Sequence, residues 1–214
     1  MKGSPDSTRD TAKGAFGGSR HRLRMAWLPG LLWGLIALVA HPALSAPLDY
    51  LLDVRGSQVG FEVEFNQGII RGTMPIASTA VVLDFDNAAN SRADVILNAD
   101  GARANVPFAT QAMKSEGVLD TARFPTITFT GTKFRRDGDA ASVQGTITLR
   151  GQTRPITLDA QIFRPQGTQP GYRERLSVQL TGTLLRSEFG ATGFADMVGD
   201  KVRLRILARL VLSP

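Results

Sequence analysis

Apolar and polar side chains alternate with a period of two along most of the chain after Pro47. In residues 58–65 the odd positions hold valine or phenylalanine, and the even positions hold glutamine, glycine or glutamate. This alternation predicts a β-strand with one buried face. The same period recurs in four later segments, whose apolar positions lie within residues 93–99, 143–149, 156–162 and 202–212.

Polar, glycine-containing segments separate these predicted strands. Residues 135–139 and 150–153 have the composition of tight hairpins, and residues 165–171 that of a longer loop. Residues 105–120 lack the alternation, contain Pro107 and several helix formers, and predict a short helix in a crossing segment. About eight to ten strands with little helix indicate an all-β domain, either a sandwich or a barrel.

The first 45 residues predict a secretory signal peptide. A basic stretch at residues 20–24 precedes an apolar run at residues 25–40, and small residues follow at 43–46. We expect cleavage after Ser45, a mature domain of residues 46–214, and a location in the periplasm or outside the cell. The alternative is an uncleaved membrane anchor, but the apolar run is shorter than the roughly 20 residues that a span needs.

Removing residues 1–45 changes the chemistry of the chain. That segment holds six of the 25 basic and two of the 19 acidic residues, so residues 46–214 keep 19 and 17, which gives little support for a nucleic-acid partner. Both histidines precede residue 46, and the chain has no cysteine. We therefore expect no metal, no cofactor and no catalytic residues in the mature domain. A carboxylate-dependent hydrolase remains an alternative.

Four segments, in order, resemble the YceI family of polyisoprenoid-binding proteins. They are Tyr50 to Phe61, the run LDTARFPTITF at 119–129, residues 143–156, and residues 186–202 beginning RSEFG. The resemblance implies an antiparallel eight-stranded barrel similar to lipocalins, with a short helical crossing segment and an elongated apolar cavity. It also implies a periplasmic or secreted carrier whose partner is an isoprenoid or fatty-acyl lipid.

The apolar faces of the strands suit either a packed interior or the wall of a cavity. Periodicity alone favours a filled barrel, whereas the family resemblance favours a barrel that holds one ligand. Under the second interpretation we predict a wall of twelve ligand-binding residues, with Phe108 and Met113 of the crossing segment and Phe189 near the mouth. The predicted residues are Phe61, Val63, Phe65, Leu97, Phe108, Met113, Ile127, Phe129, Ile147, Leu158, Phe189 and Leu204.

Two polar patterns have alternative interpretations. Asp84 and Asp86 lie two residues apart and could act as an acid–base pair or bind a cation, but the sequence DFDN is more typical of a solvated turn. Arg203, Arg205 and Arg209 form a stripe on the outer face of the last strand. Such a stripe is an ordinary solvated face, or it makes transient contact with an anionic membrane surface.

Overall fold

The structure, a computed structural model, describes residues 46–214, so the predicted signal peptide lies outside the described residues. Within this part of the chain one helix, α1, spans Pro107–Lys114, and two 3-10 turns span Ala88–Asn90 and Arg186–Phe189. The strands are β1 (Leu48–Leu52), β2 (Gln58–Phe65), β3 (Gly68–Met74), β4 (Ile76–Leu83), β5 (Arg92–Asn98), β6 (Arg103–Ala104), β7 (Thr126–Asp137), β8 (Ala140–Leu149), β9 (Gln152–Phe163), β10 (Arg175–Leu185) and β11 (Val198–Leu212). No helix among residues 46–214 is long and apolar enough to cross a membrane.

Eight antiparallel strands close into a barrel. Their order is β1, β4, β5, β7, β8, β9, β10, β11, and β11 returns to pair with β1. The first half of β11 pairs instead with β2, and β3 and β6 continue the sheet from there. Only Pro75 separates β3 from β4. Proline cannot donate a ladder hydrogen bond, so it divides one long bent strand into two.

The apolar residues that alternate along the predicted strands are the ones whose side chains are buried in the barrel. In β9 the side chains of Ile156, Leu158, Ala160 and Ile162 are buried, and most of their neighbours in sequence are exposed. In β11 the alternate residues Leu204, Ile206, Ala208, Leu210 and Leu212 likewise pack against the interior. All-β architecture with a closed barrel and a short crossing helix is therefore confirmed.

A bulge in β7 shifts the alternation by one residue. The register changes between Gly131, which faces Gly145, and Lys133, which faces Gln144. A Cβ atom at Gly145 would stand 2.1 Å from the Thr130 carbonyl oxygen, so the two strands approach more closely than a side chain permits. Beyond the bulge the even position Phe134 points inward, because two residues of β7 oppose one of β8.

Candidate functional site

The interior of the barrel contains a cavity of about 530 Å³. This volume falls within the roughly 300–1,000 Å³ that is typical of small-molecule sites. Among the described residues that line the cavity, the only polar side chains are Thr79 and Arg186, and the others are apolar or glycine. The cavity therefore suits an apolar ligand.

The cavity runs nearly the full length of the barrel. Its wall includes Val198 and Leu210, which lie twelve residues apart on β11. At about 3.3 Å per residue and a strand tilt of about 40°, that separation is roughly 30 Å along the barrel axis. A long, narrow chain fits this shape better than a compact molecule does.

One end of the barrel is closed by aromatic and cationic side chains. The rings of Tyr50 and Phe85 meet edge to face at 6.4 Å, and the guanidinium groups of Arg136 and Arg173 lie over the Phe85 ring at 5.3 and 5.0 Å. The Tyr50 hydroxyl donates a hydrogen bond to the Arg173 carbonyl oxygen at 2.7 Å. Burial raises the pKa of Tyr50. This end offers a ligand no wide opening.

The mouth lies at the opposite end, under α1 and the segment before β11. Phe65 and Phe108 meet there with their ring centres 5.9 Å apart. Phe108, Phe194 and Met197 line the cavity and are also exposed, by 57%, 43% and 38%. Exposure of such an apolar rim to water is energetically unfavourable, so a rim of this kind is typical of a surface that contacts a ligand, a membrane or another protein.

The two covering segments are tied together at the mouth. The Gly193 amide donates to the Gly117 carbonyl oxygen at 2.7 Å, and the side chain of Arg150 donates to the carbonyl oxygens of Glu116 and Val118. The first bond joins the segment before β11 to the residues that follow α1, and the Arg150 bonds join the turn between β8 and β9 to those same residues. The mouth is thus framed by backbone contacts and does not depend on side-chain packing alone.

Eleven of the twelve residues predicted from the sequence lie in the wall of the cavity. The structure brings together Phe61, Val63, Phe65, Leu97, Phe108, Met113, Ile127, Phe129, Ile147, Leu158 and Leu204. Phe189 is not in the wall: it is 1% exposed and packs within the barrel core from its 3-10 turn. Contact of any of these residues with a ligand stays a prediction.

Arg186, which was not among the residues predicted from the sequence, also reaches the wall. Continued alternation along β10, through Val178, Leu180 and Leu184, would have placed position 186 on the inner face. Arg186 is 7% exposed. Its Nε donates to the Gly199 carbonyl oxygen at 3.0 Å, and its Nη atoms donate to those of Ala191, Gly193 and Val198.

Asp84 belongs to a turn, as the turn interpretation expects, but it is buried there and not solvated. Its carboxylate accepts hydrogen bonds from the amides of Asp86 and Asn87 at 2.9 and 2.7 Å, and from the Asn90 side chain at 2.8 Å. These bonds, that from Asn87 above all, lower the pKa of Asp84. Among residues 46–214, no group of three or more Asp, Glu, His or Cys side chains is arranged to hold a metal ion.

Two arginines of the outer stripe are paired with carboxylates. Arg203 lies 2.8 Å from Glu64, and Arg205 lies 3.4 Å from Glu62. Arg71 also donates to Glu62 at 3.0 Å, and this bond lowers the pKa of Glu62. The stripe therefore carries less net charge than the sequence alone indicates.

A family model described as the YceI-like domain matches residues 50–210 of the chain. The chain belongs to the YceI-like domain family. It is 28% identical to "Protein YceI" of Escherichia coli O157:H7 over 165 residues, which is 76% of this chain and 85% of that protein. It is 27% identical to a UPF0312 protein of Yersinia pestis (strain Pestoides F) over 180 residues, covering 83% of this chain and 92% of the relative.

Solved structures share the barrel fold. BcnA of Burkholderia cenocepacia matches with a TM-score of 0.66 at 16% identity, over 74% of this chain and 99% of its own. A domain from Saccharophagus degradans, described as a polyisoprenoid binding domain implicated in plant cell wall breakdown, matches with a TM-score of 0.58 at 13% identity, over 78% and 99%. At these identities the likeness shows the fold alone.

Proposed function

We propose that the domain is a carrier that holds one long apolar lipid, of isoprenoid or fatty-acyl type, in the lumen of the barrel. The observation that carries this proposal is the continuous apolar cavity, about 530 Å³ in volume, that runs from the mouth to the closed end. A filled barrel would have no such space. Polyisoprenoid binding, as described for the Saccharophagus degradans domain, supports the isoprenoid class.

The binding energy of such a carrier comes from removing the lipid chain from water. Each Å² of apolar surface that is buried contributes about 25 cal/mol, so a long chain gains more than a short one. Among the described wall residues, only Thr79 and Arg186 have polar side chains that could make directional contacts with a ligand. The barrel therefore selects a ligand mainly by its apolarity, length and width.

The domain binds its ligand without catalysing a reaction on it. In support, no carboxylate, imidazole or thiol side chain lines the cavity within residues 46–214. General acid–base catalysis needs a titratable group within hydrogen-bond reach of the reacting atom. Neither Thr79 nor Arg186 supplies such an acid–base pair.

Loading takes place while the mouth touches a membrane surface. The apolar rim formed by Phe108, Phe194 and Met197 supports this step, because these side chains both line the cavity and are exposed. Contact through the rim would let a lipid chain pass from the membrane into the lumen without crossing water. The rim fits this contact better than the arginine stripe, in which Arg203 and Arg205 already have acidic partners.

Mass spectrometry of lipids extracted from the gently purified protein tests the proposal. A carrier retains about one lipid molecule per barrel and takes up added geranylgeraniol when it is empty. A protein that carries no lipid and takes up neither geranylgeraniol nor hexadecanol would contradict the proposal and favour a structural domain. Lysozyme, handled in the same way, controls for lipid that sticks to any protein surface.

We also propose that the protein works in the periplasm or outside the cell. The support is the order of features in residues 20–46: basic residues, a short apolar run and small residues. Such a location would put the carrier between membranes, where a lipid needs a protein to cross water.

A further inference from the structure

A second cavity lies on the outer face of the sheet, where β2, β3 and β6 extend beyond the closed ring. It is a groove of about 680 Å³, lined by residues of β2, β3, β6, β10 and β11. In β2 the side chains of Val59 and Val63 line the lumen, so the alternate residues Gly60 and Glu62 face the opposite side. The sheet therefore stands between this outer groove and the lumen.

Gly60 forms the floor of the outer groove. Its partners across the sheet are Arg205 on β11 and Thr73 on β3, and Arg103 on β6 pairs with Thr73 in turn. In this row of four strands only Gly60 lacks a side chain. Neighbouring strands lie about 4.8 Å apart, so the backbones of Arg205 and Arg103 stand about 14 Å apart on either side of the gap. This separation gives room for a small molecule and not only for a single ion.

The outer groove is positively charged, because three arginines and one glutamate line it. Arg71 Nε donates to one carboxylate oxygen of Glu62 at 3.0 Å, and Arg205 Nε lies 3.4 Å from the other. Both contacts use Nε, so Glu62 orients the two guanidinium groups and leaves their Nη donors available to a ligand. None of the ion pairs formed within residues 46–214 involves Arg103.

The remaining polar side chains of the groove are neutral. Amide and hydroxyl groups offer both donors and acceptors, as the hydroxyls of a sugar do, whereas arginine only donates. Leu207 adds an apolar surface on which the C–H face of a sugar ring can pack. A membrane surface would use the charges alone. The neutral hydrogen-bonding residues are Gln58, Thr73, Asn105, Gln179 and Thr181.

We propose that the outer groove binds a sugar that carries an oxyanion, either a phosphate or a carboxylate. The oxyanion binds the guanidinium groups of Arg103 and Arg205, because arginine donates strong, paired hydrogen bonds to such groups. The sugar hydroxyls contact the amide and hydroxyl side chains around Gly60. Because the sheet separates the two cavities, this site does not depend on a lipid in the lumen.

Titration of the unaltered protein tests this inference. The probes are glucose 6-phosphate and glucuronate, with glucose, inorganic phosphate and acetate as their matched parts, and amide chemical shifts in two-dimensional NMR report both affinity and position. We expect one sugar anion to bind at least tenfold more tightly than glucose and than its own free anion, with the largest shifts at Gly60, Thr73 and Arg103. The tighter of the two sugar anions identifies phosphate or carboxylate as the bound group.

Three results of this titration would overturn the inference. Free phosphate or acetate that binds as tightly as its sugar would reduce the groove to a patch of charge. Shifts that lie elsewhere in the domain would place the site outside the groove. Sedimentation with phosphatidylglycerol vesicles, without binding of either sugar anion at millimolar concentration, would make the groove a membrane contact instead.

Two arginine variants with the same change of charge locate the site. Arg103→Gln should weaken binding of the preferred sugar anion about tenfold, because it removes a charge-assisted hydrogen bond. Arg135→Gln is the control, since Arg135 is exposed on β7 and does not line the groove. It should keep the affinity of the parent protein.

Far-UV circular dichroism shows whether both variants fold. Unchanged affinity in folded Arg103→Gln, or an equal loss in Arg135→Gln, contradicts the assignment. If Arg103→Gln does not fold, Arg205→Gln takes its place, with the same expected loss.

Discussion

Phe65 lies where the wall of the barrel meets the mouth. A substitution at this single residue tests whether the proposed wall contacts the lipid. Its ring contacts that of Phe108, and the residue pairs with Gly68 and Val198 across the sheet. Phe65→Asn places a polar group in an apolar wall, where an unpaired group costs about 1–3 kcal/mol. We expect lipid retention to fall about tenfold, measured as lipid per protein after extraction.

Glu64→Gln is the matched control for this change. Glu64 is the preceding residue on the outer face and pairs with Arg203 at an exposed site, where an ion pair contributes at most about 1 kcal/mol. The control should keep its lipid. Far-UV circular dichroism shows whether both variants fold. If both fold and Phe65→Asn retains as much lipid as the parent protein, Phe65 does not contact the ligand.

The positions of most wall residues could be predicted because strand periodicity is a local property. Val63 and Leu158, for example, alternate with polar neighbours, and a strand turns alternate residues to the same face. Phe189 and Arg186 could not be assigned by hydrophobicity. Both lie in the 3-10 turn that follows β10, where the phenylalanine packs into the core and the arginine reaches the wall.

At the scale of the elements, the sequence predicted the hairpins and the crossing helix but not the irregularities of the strands. Arg150 and Gly151 both have positive φ, as a two-residue hairpin turn requires. The bulge in β7 was not predicted, and so Phe134 was not among the expected wall residues. A bulge depends on the close approach of Gly145 in the neighbouring strand, which is a contact between segments and not a local pattern.

Strand β8 supplies two adjacent alanines for a test of cavity length. Ala141 lines the cavity near the closed end, whereas Ala140 is exposed on the other face. Ala141→Phe puts a ring into the lumen, and a lipid that must withdraw two methylene groups loses about 1.6 kcal/mol, or slightly more than tenfold in affinity. We expect the lipids extracted from this variant to shift to shorter chains.

Ala140→Phe carries the same added volume on the outer face, so its extracted lipids should match those of the parent protein. Chromatography with mass detection gives the chain-length distribution for all three proteins. An unchanged distribution in folded Ala141→Phe would mean that the bound chain does not reach the closed end. In that case the lipid would occupy only the half of the lumen near the mouth.

For the whole molecule, the family resemblance predicted a closed barrel that periodicity alone could not distinguish from a sandwich. The existence of the cavity, unlike the barrel itself, could not be predicted from a few motifs. Its volume depends on the sizes of inward side chains from all eight strands of the ring, including small ones such as Ala93 and Ala208. Larger side chains at several of these positions would fill the lumen without changing the fold, so no single motif determines whether the lumen is open.

The proposed export leads to a prediction about the mass and the composition of the mature protein. Cleavage after Ser45 leaves a chain that begins at Ala46 and contains neither tryptophan nor histidine. Intact mass of the protein recovered from the periplasmic fraction should therefore correspond to residues 46–214, and its fluorescence should show tyrosine emission only. A product from that fraction that still contains Trp27 would contradict processing at this position. Ser45→Pro, which disturbs a small-residue position next to the cleavage site, should accumulate the longer form.

Closure of the ring by β11 also brings the two ends of the domain together. Tyr50 pairs with Leu212, and the amide of Ser213 donates to the Asp49 carbonyl oxygen at 2.9 Å. Neighbouring ends of this kind make circular permutation geometrically feasible. A short linker could join them, and new ends could open in the exposed loop of residues 165–171, which also lies away from the mouth. The barrel wall could therefore form from a chain that starts at a different residue. Neither the present ends nor the new ones would obstruct the mouth through which the lipid enters.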